Sequence, residues 1–355
     1  MITVKAPGKL YIAGEYAVVE PGCPAILVGL NRYVYATIED SLEQGTIASK
    51  QYNQVLNWMR NGTELSLKQD IKPFEYILSA IRIVEQYAHE SGTKLKLYHL
   101  SIDSELDSSD GKKYGLGSSA AVTVVTVKAL CNYYHLAVTQ NDIFKLAALA
   151  HFAVQGNGSL GDVAASVFGG WISYYSFDRQ WLLEASQHFS LTELLQKDWP
   201  GLKITPLPIP NNLKLLIGWT GSPASTSKLI DKVNPSKEER HQKYRAFIHE
   251  STQCVEKIIQ AFKTKNLAEI QQGLRKNRQL LADLHQITGV EIETSALKYL
   301  IESAEKFGGA AKTSGAGGGD CGIVIIDKKK PIATLLELWQ NHHILPLDLK
   351  VSFDV

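Results

Sequence analysis

Cysteine is scarce and never clustered. The chain of 355 residues has four, Cys23, Cys131, Cys254 and Cys321, with no CxxC pair. No histidine stands at metal-ligand spacing from any of them, which argues against a zinc site. No segment approaches the roughly 18 uncharged apolar residues of a membrane span. The opening MITVKAPGKLYIAGEY carries Lys5, Lys9 and Glu15 where a signal peptide needs apolar residues. Charge of one sign is missing too: 37 Lys and Arg meet 36 Asp and Glu, a net +1. So flat a balance offers no footprint for nucleic acid or an anionic membrane, though a local basic cluster still suits an anionic small substrate. Internal repeats and low-complexity tracts are absent. These absences predict a soluble, reduced, cytoplasmic protein; between a monomer and a homodimer the sequence does not choose.

What is present suits two domains, each able to bury a core from the 45% hydrophobic content. Strands are predicted at Ile2–Val4 and Leu10–Ile12, flanking a Pro7-Gly8 turn, and at Ala25–Val28 and Tyr33–Ile38. Residues 41–72 read as short strands and loops. A helical spacing runs from Phe74 to Tyr87, a strand from Lys94 to Ile102, then helices over about 118–135, 140–154 and 159–168. Trp171–Ser176 is a strand. The segment Pro200–Asn212, with four prolines, is the linker candidate. Beyond it come a buried-type strand at Leu213–Trp219, helices over roughly 236–263, 266–287 and 294–307, strands at Ala310–Ser314 and Cys321–Ile326, a helix around Leu335–Trp339 and a last strand at Leu347–Phe353. The fold class is α+β in both halves, divided as 1–205 and 206–355.

Three glycine-rich segments stand out. Gly115-Leu116-Gly117-Ser118-Ser119-Ala120-Ala121 follows a loop and opens an apolar helix. Glycines let backbone approach a ligand, Ser118 or Ser119 caps the helix, and the free amides of its first turn favour an anion. A serine hydroxyl there also reaches a phosphate-bound Mg²⁺. Read alone, the segment is equally a capped helix after a tight turn. It is neither a Walker A loop nor GxGxxG, so a P-loop enzyme and a Rossmann dehydrogenase are both unsupported. The second segment, Lys312 to Cys321, sets Gly315, Ala316 and Gly317 in a run of glycines between strand-like residues, and a plain glycine hairpin is its alternative. The third, Gly156 to Asp162, places a carboxylate near a helix start, as a general base or a simple dipole partner. Lys9 is the cation to set against Asp162. Together the segments supply what phosphoryl transfer needs: amide-rich loops, one basic and one acidic side chain.

In this order the motifs resemble those of the GHMP kinases. Pro7-Gly8-Lys9-Leu10 through Gly14-Glu15-Tyr16 is similar to the first family motif, Gly115–Ala121 to the second and Ser314–Asp320 to the third, spanning nearly the whole chain. Lys113-Tyr114, Ser176-Phe177-Asp178-Arg179, Gly218-Trp219-Thr220-Gly221 and SGAGGGDCG resemble the members that act on 5-phosphomevalonate. The resemblance implies transfer of the ATP γ-phosphate to that phosphate, giving 5-diphosphomevalonate; a mevalonate-phosphorylating enzyme and a ligand-binding protein without catalysis are the alternatives. It implies a ribosomal-protein-like N-terminal domain with a left-handed βαβ crossover, a ferredoxin-like C-terminal domain and a cleft between them. It also implies that Lys113 and Gly115, Leu116, Gly117, Ser118, Ser119 and Ala120 hold ATP, and that Ser119 ligates Mg²⁺. By the same resemblance Lys9 would stabilise the transferring phosphoryl group, with Asp162 as base or as a group orienting Lys9 and the acceptor. Ser159, Gly315, Ala316 and Gly317 line the acceptor pocket beside Lys9; Arg179, Ser225 and Thr226 are further acceptor candidates. Two departures stand out. Gly111 occupies the position of a usual proline, and His151 the position of a metal-binding glutamate in the mevalonate-phosphorylating members.

Overall fold

The structure, a computed structural model, describes residues 1–51, 54–67, 72–107, 113–221 and 238–353. The N-terminal part builds one eight-stranded sheet. Its strands are β1 (Ile2–Ala13), β2 (Pro24–Ser41), β3 (Gly45–Ser49), β4 (Gln54–Asn61), β5 (Glu64–Leu67), β6 (Leu97–Ser104), β7 (Trp171–Tyr175) and β8 (Lys203–Pro206). The order is β5-β4-β3-β6-β2-β7-β8, with β1 paired to β2. Only β3 and β6 run parallel among the described pairings.

The turn expected at Pro7-Gly8 is instead a slip inside one continuous strand. Pro7 lies opposite Tyr33 and Gly8 opposite Leu30, so β2 carries extra residues at that point. A bulge suits a proline, which has no N–H to give to a ladder. The Pro7 carbonyl is satisfied by the Ser166 hydroxyl at 2.9 Å. The two segments expected at Ala25–Val28 and Tyr33–Ile38 are likewise parts of the single strand β2.

Four helices pack together over the β1–β2 pair: α1 (Glu75–Glu90), α2 (Ser118–Tyr133), α3 (Gln140–Gln155) and α4 (Gly161–Phe168). α2 is buried on most sides through Ala120, Ala121, Val124, Val125, Val127 and Leu130, as its nearly unbroken apolar sequence requires. It packs on α1, α3, α4 and the β1–β2 pair. A Thr139–Asp142 capping box starts α3 and Gly156, in the left-handed region, ends it. Two short helices, α5 (Arg179–His188) and α6 (Leu191–Gln196), fill a stretch with no prior assignment. The proline-rich linker is also partly structured: β8 pairs with β7 at the sheet edge and stops on Pro206.

The C-terminal part runs β9 (Leu213–Trp219), α7 (Glu238–Lys263), α8 (Leu267–Thr288), α9 (Ser295–Lys306), β10 (Ala310–Thr313), β11 (Cys321–Asp327), α10 (Ala333–Asn341) and β12 (Leu345–Leu347). The sheet order β10-β11-β9-β12, antiparallel throughout, is that of a ferredoxin-like sandwich. The last strand, expected at Leu347–Phe353, instead ends at Leu347. After β12 the chain leaves this sheet and returns to the first: Val351 bridges Leu30, and the Ser352 backbone bonds Gly29 and Gly170. All four cysteines are buried free thiols. No described helix is long and apolar enough to cross a membrane.

Candidate active site

The bulge at Pro7 turns the second half of β1 toward a cavity of 370 Å³. The starts of α2 and α4 and the loop between β10 and β11 complete its wall. Lys9, Lys113, Gly115, Leu116, Gly117, Ser118, Ser119, Ser159, Asp162, Gly315 and Ala316 all line it. Three of the expected residues among those described, Ala120, Gly317 and Arg179, do not. Ala120 is fully buried in the packed face of α2. Gly317 sits against backbone: a methyl group there would lie 2.2 Å from the Ile292 carbonyl oxygen. Its missing side chain makes room for the chain rather than for a ligand. Arg179 donates to the carbonyls of Gly158 (2.7 Å) and Val19 (2.5 Å), tying together two loops on the cavity wall. Ser225, Thr226 and Gly111 lie outside the described residues.

The loop before α2 is shaped by two glycines with φ of 78° and 77°, Gly115 and Gly117. Each also stands aside for a side chain. A methyl group at Gly115 would lie 2.5 Å from the Asp320 carboxyl carbon, and one at Gly117 would lie 2.7 Å from Lys9 Cε. The expected serine cap is absent. Gly117 occupies the cap position without a side-chain bond, and Ser118 and Ser119 fall inside the first turn. The amides of that turn are therefore left to a ligand, with the positive end of the helix dipole behind them. Lys9 is held across the loop: its N–H donates to the Leu116 carbonyl at 2.8 Å and its Nζ to that of Gly115 at 3.4 Å.

Asp162 stands in the first turn of α4, its Oδ1 accepting from the Val163 N–H at 3.0 Å. Next to it, Ser159 Oγ accepts from the Gly161 N–H and lies 2.9 Å from the Tyr11 hydroxyl, while Tyr174 donates to the Ser159 carbonyl at 2.5 Å. Burial raises the Tyr11 phenol well above its ordinary pKa, and the Asp162 charge adds to the effect. Tyr11 is thus a neutral hydroxyl. His151 lies behind Ser119, its pKa lowered by burial against an opposing pull from Asp162.

Glu15 and Lys312 form a buried ion pair, 3% and 0% exposed. It joins the end of β1 to β10, and Glu15 also accepts the Gly315 N–H at 3.3 Å. Tyr16, at φ 63°, adds a hydroxyl bond to the Ala316 carbonyl at 2.5 Å. Glu15 and Tyr16 lie within the Pro7–Tyr16 motif and Lys312 within the Lys312–Cys321 segment, where nothing local in the sequence marks these roles. Tyr11 had a legible signal, since it follows Lys9 by two residues and shares its strand face. The Glu15–Lys312 contact had none, because its partners are 297 positions apart. Among the described residues no group of three or more His, Cys, Asp and Glu side chains is placed to hold a metal ion.

Comparison with known proteins places the chain in a family. The family model for the GHMP kinases N terminal domain matches residues 75–170, and that for the GHMP kinases C terminal matches 258–344. The chain is 38% identical over 362 residues to a phosphomevalonate kinase from Streptomyces sp. (strain CL190), covering 98% of this chain and 96% of that one. It is 28% identical over 353 residues to a mevalonate kinase from Thermococcus gammatolerans, covering 95% and 93%. The solved structure of Streptococcus pneumoniae phosphomevalonate kinase in complex with phosphomevalonate and AMPPNP superposes with a TM-score of 0.87 at 30% identity, covering 99% and 100%. The chain belongs to the GHMP kinase family.

Proposed function

We propose that the protein transfers the γ-phosphoryl group of ATP to the phosphate of 5-phosphomevalonate, releasing ADP and 5-diphosphomevalonate, a step of isoprenoid precursor synthesis. The observation that carries this reading is the single cavity wall shared by Lys9, the open first turn of α2, Asp162 and the Gly315-Ala316 loop. The 38% identity to a phosphomevalonate kinase, against 28% to a mevalonate kinase, favours a phosphate over a hydroxyl as acceptor. We take 1–205 and 206–355 as its two domains and the reduced cytoplasm as its compartment.

In this reading the amides of Ser118 and Ser119 and the Gly115–Gly117 backbone bind the triphosphate. Lys113, exposed on the rim, adds a cation. An acceptor oxygen attacks the γ-phosphorus while the bond from that phosphorus to the β,γ-bridging oxygen breaks, and the electron pair leaves with ADP. A phosphate monoester has its second pKa near 6, so the attacking oxygen is largely ionised at neutral pH and needs no strong base. Lys9 neutralises the charge spread over the transferring group. Asp162 orients the acceptor with Ser159. Lys9 bonds the Gly115 carbonyl, so the role of orienting Lys9 falls to that loop rather than to Asp162.

The residues fit Mg²⁺ only as a partner of the nucleotide. Ser119 supplies one hydroxyl and Asp162 one carboxylate, too few ligands for an all-protein octahedral site. When bound, the ion neutralises phosphate charge, and Ser119 is the residue that holds it. Phosphorus-31 NMR of a reaction with ATP and 5-phosphomevalonate tests the reading. It predicts that the acceptor's monoester singlet is replaced by the paired doublets of a diphosphate ester. ADP formation with the singlet intact would refute it.

A further inference from the structure

His151 is fully buried on α3, directly behind the first turn of α2. Its Nε2 lies 3.3 Å from Ser119 Oγ. Its Nδ1 is buried with no hydrogen-bond partner, and the ring packs on Tyr76 with centroids 4.9 Å apart. Leaving a buried polar atom unpaired carries a desolvation cost. An apolar ring would fill the same space against Tyr76 without that cost, so packing alone does not explain an imidazole here.

The Ser119 hydroxyl explains it. A serine inside a helix usually gives its proton to the carbonyl four residues earlier. For Ser119 that carbonyl belongs to Gly115, which lies ahead of the Gly117 cap and accepts from Lys9 Nζ. Among the described residues the hydroxyl's partner within hydrogen-bond distance is His151 Nε2. We propose that His151 is a positioning residue: its Nε2 takes the Ser119 proton, which fixes the ring as the Nδ1–H tautomer and turns the Ser119 oxygen lone pairs toward the cavity. Those lone pairs are what a hard divalent cation carried by a nucleotide requires. The inference rests on the nucleotide reading of the cavity for its purpose, and on the His151–Ser119 geometry for its chemistry.

The two are tested separately. Nitrogen-15 NMR of the ligand-free protein, with the His151 signals assigned by their loss in His151→Gln, reports the tautomer without any catalysis. The Nδ1–H form is predicted, and the Nε2–H form overturns the proposal. In kinetics at fixed ATP, His151→Leu raises the Mg²⁺ concentration for half-maximal rate roughly 10- to 100-fold, with the acceptor KM unchanged. His151→Gln, whose carbonyl can take the same proton, recovers most of the loss. In a Ser119→Ala background His151→Leu adds nothing further, because the two residues act as one unit. A wild-type Mg²⁺ dependence in His151→Leu, or full additivity with Ser119→Ala, overturns the proposal. Should His151→Leu fail to fold, the tautomer decides.

Discussion

Gly117 and Lys9 constrain each other, and their variants have different kinetic signatures. Gly117→Ala places an L-residue at φ 77° and a methyl group 2.7 Å from Lys9 Cε. The backbone strain costs about 1–2 kcal/mol, and the lysine stem is pushed off the loop. The ATP KM is predicted to rise and kcat to fall together; an unchanged ATP KM would mean the loop is only a turn. Lys9→Ala keeps the loop and removes the charge. Its kcat should fall by roughly 10²–10³ with ATP affinity little changed, and a wild-type kcat would remove Lys9 from the chemistry. Farther along α2, Lys128 has a buried Nζ with no hydrogen-bond partner among the described residues. Burial, helped by nearby Lys5, lowers its pKa to about 8. The folded state therefore binds fewer protons than the unfolded one between pH ~8 and ~10.5, so stability rises across that window. Lys128→Met is predicted to stabilise the protein by up to about 3 kcal/mol below pH ~8, with the gain fading as pH climbs toward 10.5. Thermal melts over pH 7 to 10 check this, and a pH-independent difference would contradict it.

At the scale of elements, the loop between β10 and β11 is placed by its contact with the segment after α8. The Gly318 N–H donates to the Ile292 carbonyl at 2.9 Å, and Gly317 has no space for a side chain against the same carbonyl. Gly317→Ala should lower the melting temperature and raise the acceptor KM by shifting Gly315 and Ala316; a wild-type melting curve and acceptor KM would show that the loop tolerates the methyl group. This loop also shows what was legible beforehand. The glycine run announced close approach, and Gly315 and Ala316 do face the cavity, but a glycine serving a ligand and one serving a neighbouring backbone look alike in a sequence. The helices α1, α2 and α3 were readable because their apolar patterning is local, although of the three only α3 begins on a side-chain cap. β1 and β2 were each read as two pieces, since proline and glycine punctuate a bulge as they punctuate a turn. α5 and α6 carried signals that went unread: Asp178 capping the Trp181 N–H, and a Ser190–Glu193 capping box. β8 was hidden by its prolines, which an edge strand tolerates.

Across the whole molecule, the cleft exists because the first and last thirds of the chain are fastened together. The Glu15–Lys312 pair does so from inside, and the 349–353 segment from outside through its bonds to Gly29, Asn31 and Gly170. Lys312→Met leaves Glu15 charged and unpaired in the core, a loss of about 3–5 kcal/mol. Glu15→Gln together with Lys312→Met should cost less than the sum of the single changes, as read from denaturant midpoints. Additive losses would mean the pair is not coupled. The distances that matter here, 297 positions for one ion pair, are set by topology, which no local pattern encodes; the family resemblance supplied it. What the assembled cleft does is tested most directly by steady-state ADP release with mevalonate, 5-phosphomevalonate and 5-diphosphomevalonate offered in turn under identical ATP and Mg²⁺. The account predicts rapid turnover with 5-phosphomevalonate and background rates with the other two. Turnover of mevalonate above that of 5-phosphomevalonate would contradict it.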